Sequence, residues 1–187
     1  LSITQIPLSL RSLIESMDQL VEYRIPYLGL KVGTHHYEFR LLKEFFESFG
    51  HGEVQDGDIH VELDLDRQMN MMVLSFTLSG TAILPCDRCG EDAKVPFEGT
   101  ERLIVKMGET TGTTDEDILE LGPSEHLIDV SHYLYEYVHL MLPSRRLHAS
   151  PESCDKDAIE RLRQIEAKND EPPVDPRWDG LKGLSTN

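Results

Sequence analysis

The sequence predicts an α+β protein: an antiparallel β-sheet able to curl towards a barrel, with two to three C-terminal helices. Three observations carry this expectation. From Asp56 to Met107 apolar and polar residues alternate in successive runs, the two-residue period of strands with one buried face. The turns between those runs are short, which joins antiparallel neighbours. After Asp129 the apolar residues change to helical spacing, first up to Leu142 and again from Pro151 to Lys168.

In chain order, residues 1–16 differ in character from the rest and read as an N-terminal extension, with Met17 a candidate start for a single domain spanning 17–168. Leu20 to Pro26 and Thr34 to Leu42 read as strands, punctuated by Gly29 and Gly33. Leu41 to Phe49 has helical spacing, with Leu42, Phe45, Phe46 and Phe49 on one stripe and Gly50 as the stop. Asp56-Gly57 reads as a hairpin-type turn. Asp58 to Asp66 is the clearest strand, with Ile59, Val61, Leu63 and Leu65 inward and Asp58, His60, Glu62 and Asp64 outward.

Beyond a turn at 67–70, Met72 to Leu78 returns the chain, and Gly80 marks a break before a strand from Thr81 to Pro85. Lys94 to Glu98 and Arg102 to Met107 read as two more strands divided by Gly99. Gly108 to Thr114 reads as a surface loop, and Asp115 to Leu121 as one short acidic strand. Asp129 is placed to cap a helix that Pro143 ends, whose Val130, Leu134, Tyr137, Val138 and Met141 face the sheet. The last helix, from Pro151 to Lys168, carries Ile159, Leu162 and Ile165 on a narrow apolar side. Residues 169–187 read as a linker containing Pro172-Pro173 and a short segment that docks by Trp178.

A chain of 187 residues can bury a core without disulfide staples. Three cysteines cannot all pair with one another, which suits a reducing, cytoplasmic setting. No run approaches the roughly 20 apolar residues of a membrane span, so no membrane partner is expected. The formal charge of −16 opposes non-specific contact with nucleic acid or anionic lipid. It is unevenly spread: Glu109 to Asp129 holds seven carboxylates and no lysine or arginine, whereas Arg145 to Lys182 holds eight of the eighteen basic residues.

The stretch with the most chemistry is Cys86-Asp87-Arg88-Cys89-Gly90, at the end of a strand. A Cys-x-x-Cys turn points two thiolates at one tetrahedral cation, and a following glycine permits the tight backbone path. Far downstream stand His148 and Cys154. Cys86, Cys89, His148 and Cys154 are therefore the candidate ligands of a structural Zn²⁺. Redox chemistry at such a pair generally uses a helix N-terminus to lower a thiol pKa, and no helix-forming run begins here.

His132, Glu136 and His139 share one helix face. Glu136-x-x-His139 has the spacing of a di-iron ligand pair, but those centres need two such pairs, so a solvated polar face is expected. There is no phosphate-binding glycine loop, no Gly-x-Ser-x-Gly elbow and no His-Glu-x-x-His motif. No catalytic residue and no small-molecule substrate are expected. Arg145, Arg146, Lys156, Arg161 and Arg163 offer a basic strip for RNA, although interleaved acids favour a mixed, salt-bridged surface. Asp115, Glu116, Asp117 and Glu120 offer an acidic surface for a basic partner.

Several motifs occur in a telling order: Cys86-Asp87-Arg88-Cys89 after the sheet, Ile128-Asp129-Val130 opening a helix, and Leu140-Met141-Leu142-Pro143 closing it. Cys154 and the terminal Asp175-Pro176-Arg177-Trp178, with Leu181, Lys182 and Leu184, complete the set. Together they resemble the bacterial family of the large ribosomal RNA subunit accumulation protein YceD, in a Bacteroidetes-like form, over most of the chain from Tyr23 to Leu184. The resemblance implies a cytoplasmic, non-enzymatic protein needed for accumulation of the large-subunit ribosomal RNA. Many members of that family have a cysteine-rich segment after the helix, where this chain has only His148 and Cys154. The expected role is a ribosome-biogenesis factor that contacts precursor large-subunit RNA or a basic ribosomal protein. The competing expectation is a zinc-stabilised protein-interaction module unrelated to ribosomes.

Overall fold

The alternating stretch forms long, continuous strands, seen in a computed structural model that describes residues 20–50, 52–108 and 118–168. The expected extension at 1–16, residues 109–114 of the expected loop, residues 115–117 of the expected acidic strand, and the terminal segment 169–187 lie outside the described residues. A one-turn 3-10 helix, Val21–Tyr23, leads into β1 (Arg24–Pro26), β2 (Gly33–Leu41) and the short helix α1 (Lys43–Glu47). Then come β3 (Asp56–Arg67), β4 (Met71–Pro85), β5 (Asp92–Met107), β6 (Ile118–Leu121) and β7 (Leu127–Asp129). Helices α2 (Ser131–Met141) and α3 (Lys156–Lys168) complete the described chain, separated by a 3-10 turn at Pro151–Ser153.

The main sheet has the order β2-β3-β4-β5-β6, and β1 pairs with β7 in a separate two-stranded sheet. Neighbours are antiparallel except β5 and β6, which run parallel from Ile104↔Ile118 to Met107↔Leu121. The fold is α+β as expected, and among the described residues the sheet is open, with β2 and β6 as its margins.

Three expected boundaries are corrected. Asp56-Gly57 is not a turn: both residues lie inside β3, opposite Ile83 and Ala82. Gly80 does not interrupt β4, and Gly99 does not divide β5. Each glycine instead allows a close approach. A Cβ on Gly80 would lie 2.3 Å from the Asp58 carbonyl oxygen, and one on Gly99 would lie 2.8 Å from Met141 Sδ. Glycine inside a strand here signals contact rather than a break.

Alternation decides which face is covered. Ile59, Val61, Leu63, Leu65, Met72, Leu74, Phe76 and Leu78 are fully buried on one side of the sheet. On that side pack Phe45 and Phe46 of α1, Leu134, Tyr137 and Val138 of α2, and Tyr23, Ile25 and Ile128 around the small sheet. Leu42 of the expected apolar stripe stays 41% exposed, because α1 is shorter than the sequence suggested. The opposite face, with Asp58, His60, Glu62, Asp64, Ser75, Thr77 and Ser79, is exposed and polar.

Helix α2 begins one residue later than expected, with Val130 at the cap position because Asp129 ends β7, yet the Asp129 carboxylate still serves its start. It accepts from the Ser131 N–H at 3.0 Å, the Ser131 hydroxyl at 2.5 Å and Arg24 Nε at 3.0 Å. Partial burial works against its charge, but these donors win and hold its carboxyl below the usual range. The last helix also starts late. Cys154 is extended, and the Asp155 carboxylate receives the N–H groups of Asp157 at 3.2 Å and Ala158 at 3.1 Å. Of its expected apolar side only Ile159 packs on the core, while Leu162 and Ile165 remain exposed.

Candidate metal centre

Where β4 ends, the chain folds back at once into β5, and that reversal is built around Cys86. Its N–H donates to the Glu91 carbonyl at 2.8 Å, and its own carbonyl accepts from the Gly90 N–H at 2.8 Å. Gly90 has φ +82°, a left-handed conformation that glycine adopts without strain. The Arg88 N–H then points at Cys86 Sγ, 3.4 Å away. Such a turn holds two sulfurs on one side of the backbone.

The second half of the centre arrives on the segment between α2 and α3. Asp87 N–H donates to the Arg146 carbonyl at 2.8 Å, and the Asp87 carboxylate accepts from the Arg146 N–H at 2.7 Å. Glu53 holds the Arg146 guanidinium from the other side, and that contact keeps the Glu53 carboxyl below its usual range. With Arg146 anchored, His148 Nε2 comes to 3.3 Å from Cys89 Sγ. Cys154 folds in behind, with Arg88 Nη1 4.0 Å from its sulfur.

The three thiols and the imidazole meet, their ligand atoms all within 4.8 Å of one another. Cys86 and Cys154 are buried, while Cys89 and His148 are half-buried. Thiolates each 2.3 Å from one tetrahedral cation would be roughly 3.8 Å apart. The cluster therefore needs only small side-chain adjustments to close on an ion. No disulfide joins these cysteines.

The electrostatics suit a shared cation. Burial opposes ionisation of Cys86, but the N–H groups of Arg88, Cys89 and His148 outweigh it and bring its pKa down to about 7. Cys154 moves the other way, raised by burial and then by the neighbouring Cys89 and Cys86 sulfurs. One thiolate forms readily and the next is resisted, so a positive ion is the natural way for all three to be deprotonated together. The residues fit a soft divalent metal in a Cys₃His set, which fills four positions and leaves none open for water. Such a centre braces the fold.

Other expected residues are placed differently. His132 and Glu136 are exposed and pair with each other at 3.1 Å. His139 Nδ1 lies 2.7 Å from the Tyr135 carbonyl of its own helix. The three form a surface of α2 and do not converge on the core. Of the basic residues, Arg146 is tied to Glu53, Arg163 lies 3.9 Å from Glu160, and Arg161 lies 3.9 Å from Asp155. Arg145 and Lys156 are exposed. Glu120 sits half-buried on β6, while Asp115, Glu116 and Asp117 lie outside the described residues. Asp87, which links the turn to Arg146, is a residue that the sequence patterns did not single out. Its position inside the Cys-x-x-Cys turn was the one available signal, and nothing local distinguishes it from any other exposed acid.

The family model described as "Large ribosomal RNA subunit accumulation protein YceD" matches residues 74–185, more than half of the chain. The chain belongs to the YceD family. All four candidate ligands fall within the YceD-matching region, as do β5 and both C-terminal helices. YceD membership ties the chain to accumulation of the large ribosomal subunit RNA. No curated protein and no solved structure matches the chain.

Proposed function

We propose that this chain is a non-enzymatic, cytoplasmic ribosome-biogenesis factor, stabilised by Zn²⁺ on Cys86, Cys89, His148 and Cys154. It supports large-subunit RNA accumulation by contacting a basic ribosomal protein or precursor RNA. The observation that carries this reading is the Cys₃His centre lying wholly inside the family match, where it joins the end of β4 to the segment leading into α3.

Charge favours protein over RNA as the direct partner. At −16 the chain repels phosphate, and β3 turns Asp58, Glu62 and Asp64 to the open face. The basic residues between Arg145 and Arg163 mostly have acidic neighbours. A lysine- and arginine-rich protein meets complementary charge on either the open face or the acidic segment around Glu120. No described helix is long and apolar enough to cross a membrane. The non-enzymatic reading is supported by the exposure of His132 and Glu136, which pair with each other, and by His139 being taken up by the Tyr135 carbonyl of its own helix.

The test is a tagged pull-down from the native organism at low and high salt, reading protein and RNA, beside sedimentation of cell extracts. Co-sedimentation with precursor large subunits and salt-sensitive recovery of a basic ribosomal protein are expected. Absence from every ribosomal fraction would instead favour an interaction module unrelated to ribosomes. Metal analysis of protein purified without a histidine tag should give about one zinc per chain, and a ratio near zero rejects the metal.

A further inference from the structure

β2 lies at the margin of the main sheet, and among the described residues no strand pairs with its outer side. It is nine residues long, contains no proline, and stays in unbroken register with β3 from Gly33↔Arg67 to Leu41↔Ile59. An edge of this kind leaves the N–H and C=O groups of alternate residues without ladder partners. At the β3–β4 turn the Gln68 N–H donates to the Met71 carbonyl at 2.9 Å, so even-numbered β3 residues bond to β4 and odd-numbered ones to β2. With Gly33 opposite Arg67, odd-numbered β2 residues carry that ladder, and Thr34, His36, Glu38 and Arg40 are turned outward, where the Arg40 carbonyl accepts from Tyr23 Oη at 3.3 Å. Their side chains lie exposed on the polar face.

Charge along this edge is incomplete at one position. Asp64 engages His36, and Asp58 engages Arg40 through two hydrogen bonds of 2.8 and 2.7 Å. Glu38 stands opposite Glu62, and like charges directly across a sheet repel. On the core side, Tyr37 and Phe39 are only half-buried. The margin thus presents an uncompensated carboxylate on one face and partly covered aromatics on the other.

We propose that β2 pairs with β2 of a second copy of this chain, antiparallel about a two-fold axis at Tyr37. In that register Glu38 faces the partner's His36 on both sides of the axis, and Thr34 faces the partner's Arg40. Even-numbered residues meet even-numbered ones, so the outward N–H and C=O sets match, with the Arg40 carbonyl keeping Tyr23 Oη on one lone pair and offering the other to the partner's Thr34. His36 uses Nδ1 for Asp64, which leaves Nε2 for the partner's Glu38. Tyr37 meets its own counterpart, and Phe39 meets the partner's His35. A register centred on Glu38 would set that carboxylate against itself, which excludes it.

The test uses the full chain in sedimentation velocity across a concentration series, with amide hydrogen exchange on the same samples. A species of twice the 21.3 kDa chain mass is expected, with protection of the Thr34, His36, Glu38 and Arg40 amides rising with concentration. Glu38→Pro removes an outward N–H while sparing the ladder to β3, and should weaken self-association by about tenfold or more. Because that variant could also disturb folding, a charge pair serves as the second reading. His36→Glu should weaken the dimer and His36→Lys should strengthen it. A monomer at every concentration overturns the proposal, as does a dimer indifferent to both His36 variants. Protected β2 amides in a monomer also overturn it, since another segment of the same chain would then cover the edge.

Discussion

Asp87 and Arg146 are joined twice, once through each backbone: Asp87 N–H to the Arg146 carbonyl, and Arg146 N–H to the Asp87 carboxylate, at 2.8 and 2.7 Å. This double link brings the segment after α2 alongside the Cys-x-x-Cys turn, and His148 comes two residues later. Asp87 touches no candidate ligand atom itself. It positions the backbone that carries one.

Asp87→Ala should therefore weaken metal binding about 10- to 100-fold, the usual cost of losing an outer partner of a metal site. Competition against a chromophoric chelator would measure it. An affinity equal to wild type would show that the metal alone orders the 146–148 segment.

Removing the metal should loosen one part of the molecule more than the rest. Cys154→Ser, or a strong chelator, is expected to expose the 144–156 segment to protease while hydrogen exchange in β3 and β4 stays slow. Cys86 and Cys154 belong to the buried core, but β3 and β4 are covered mainly by apolar contacts among Ile59, Val61, Leu63, Leu65, Leu74 and Phe76 with the helices. Simultaneous collapse of the sheet would contradict this division.

Two glycines should respond differently to the same change. Gly80→Ala drives a methyl onto backbone, 2.3 Å from the Asp58 oxygen and 2.7 Å from Ile59 Cα, and should cost about 1–3 kcal/mol. Around Gly29 nothing lies within 4 Å of an added Cβ, so Gly29→Ala should stay within about 0.5 kcal/mol of wild type. Urea denaturation of both variants checks the contrast.

Acid should find Asp129. Its carboxyl is held below the usual range in the folded state, so its contribution is full above the unfolded-state value, about pH 4. It is lost as pH falls through the lower folded-state value. Asp129→Asn removes the charge facing Arg24 and should cost about 0.2–1 kcal/mol at neutral pH, and the two stability profiles should converge in strong acid. Parallel profiles down to the acid limit would mean that Asp129 does not carry the linkage.

Much of this was legible in advance because strand alternation is local and unambiguous: Ile59 to Leu65 read inward, and they are buried. The four candidate ligands could also be chosen, since cysteine and histidine are few. What sequence patterns missed depends on contacts between distant segments. Gly80 and Gly99 looked like breaks because their reason, a neighbouring backbone and Met141, lies elsewhere in the chain. The parallel pairing of β6 and the small sheet of β1 with β7 are set by where the chain returns, which no local period encodes. Asp87 escaped notice on the same grounds.

The separation of the thiols along the chain has a consequence for synthesis. Arg88 and Cys154, which approach across the centre, stand 66 positions apart. During translation the first two sulfurs leave the ribosome well before the third exists, and a pair of thiolates holds a metal less securely than a full set. Final closure of the centre must wait until residue 154 has emerged. Until then Cys86 and Cys89 are without the complete set.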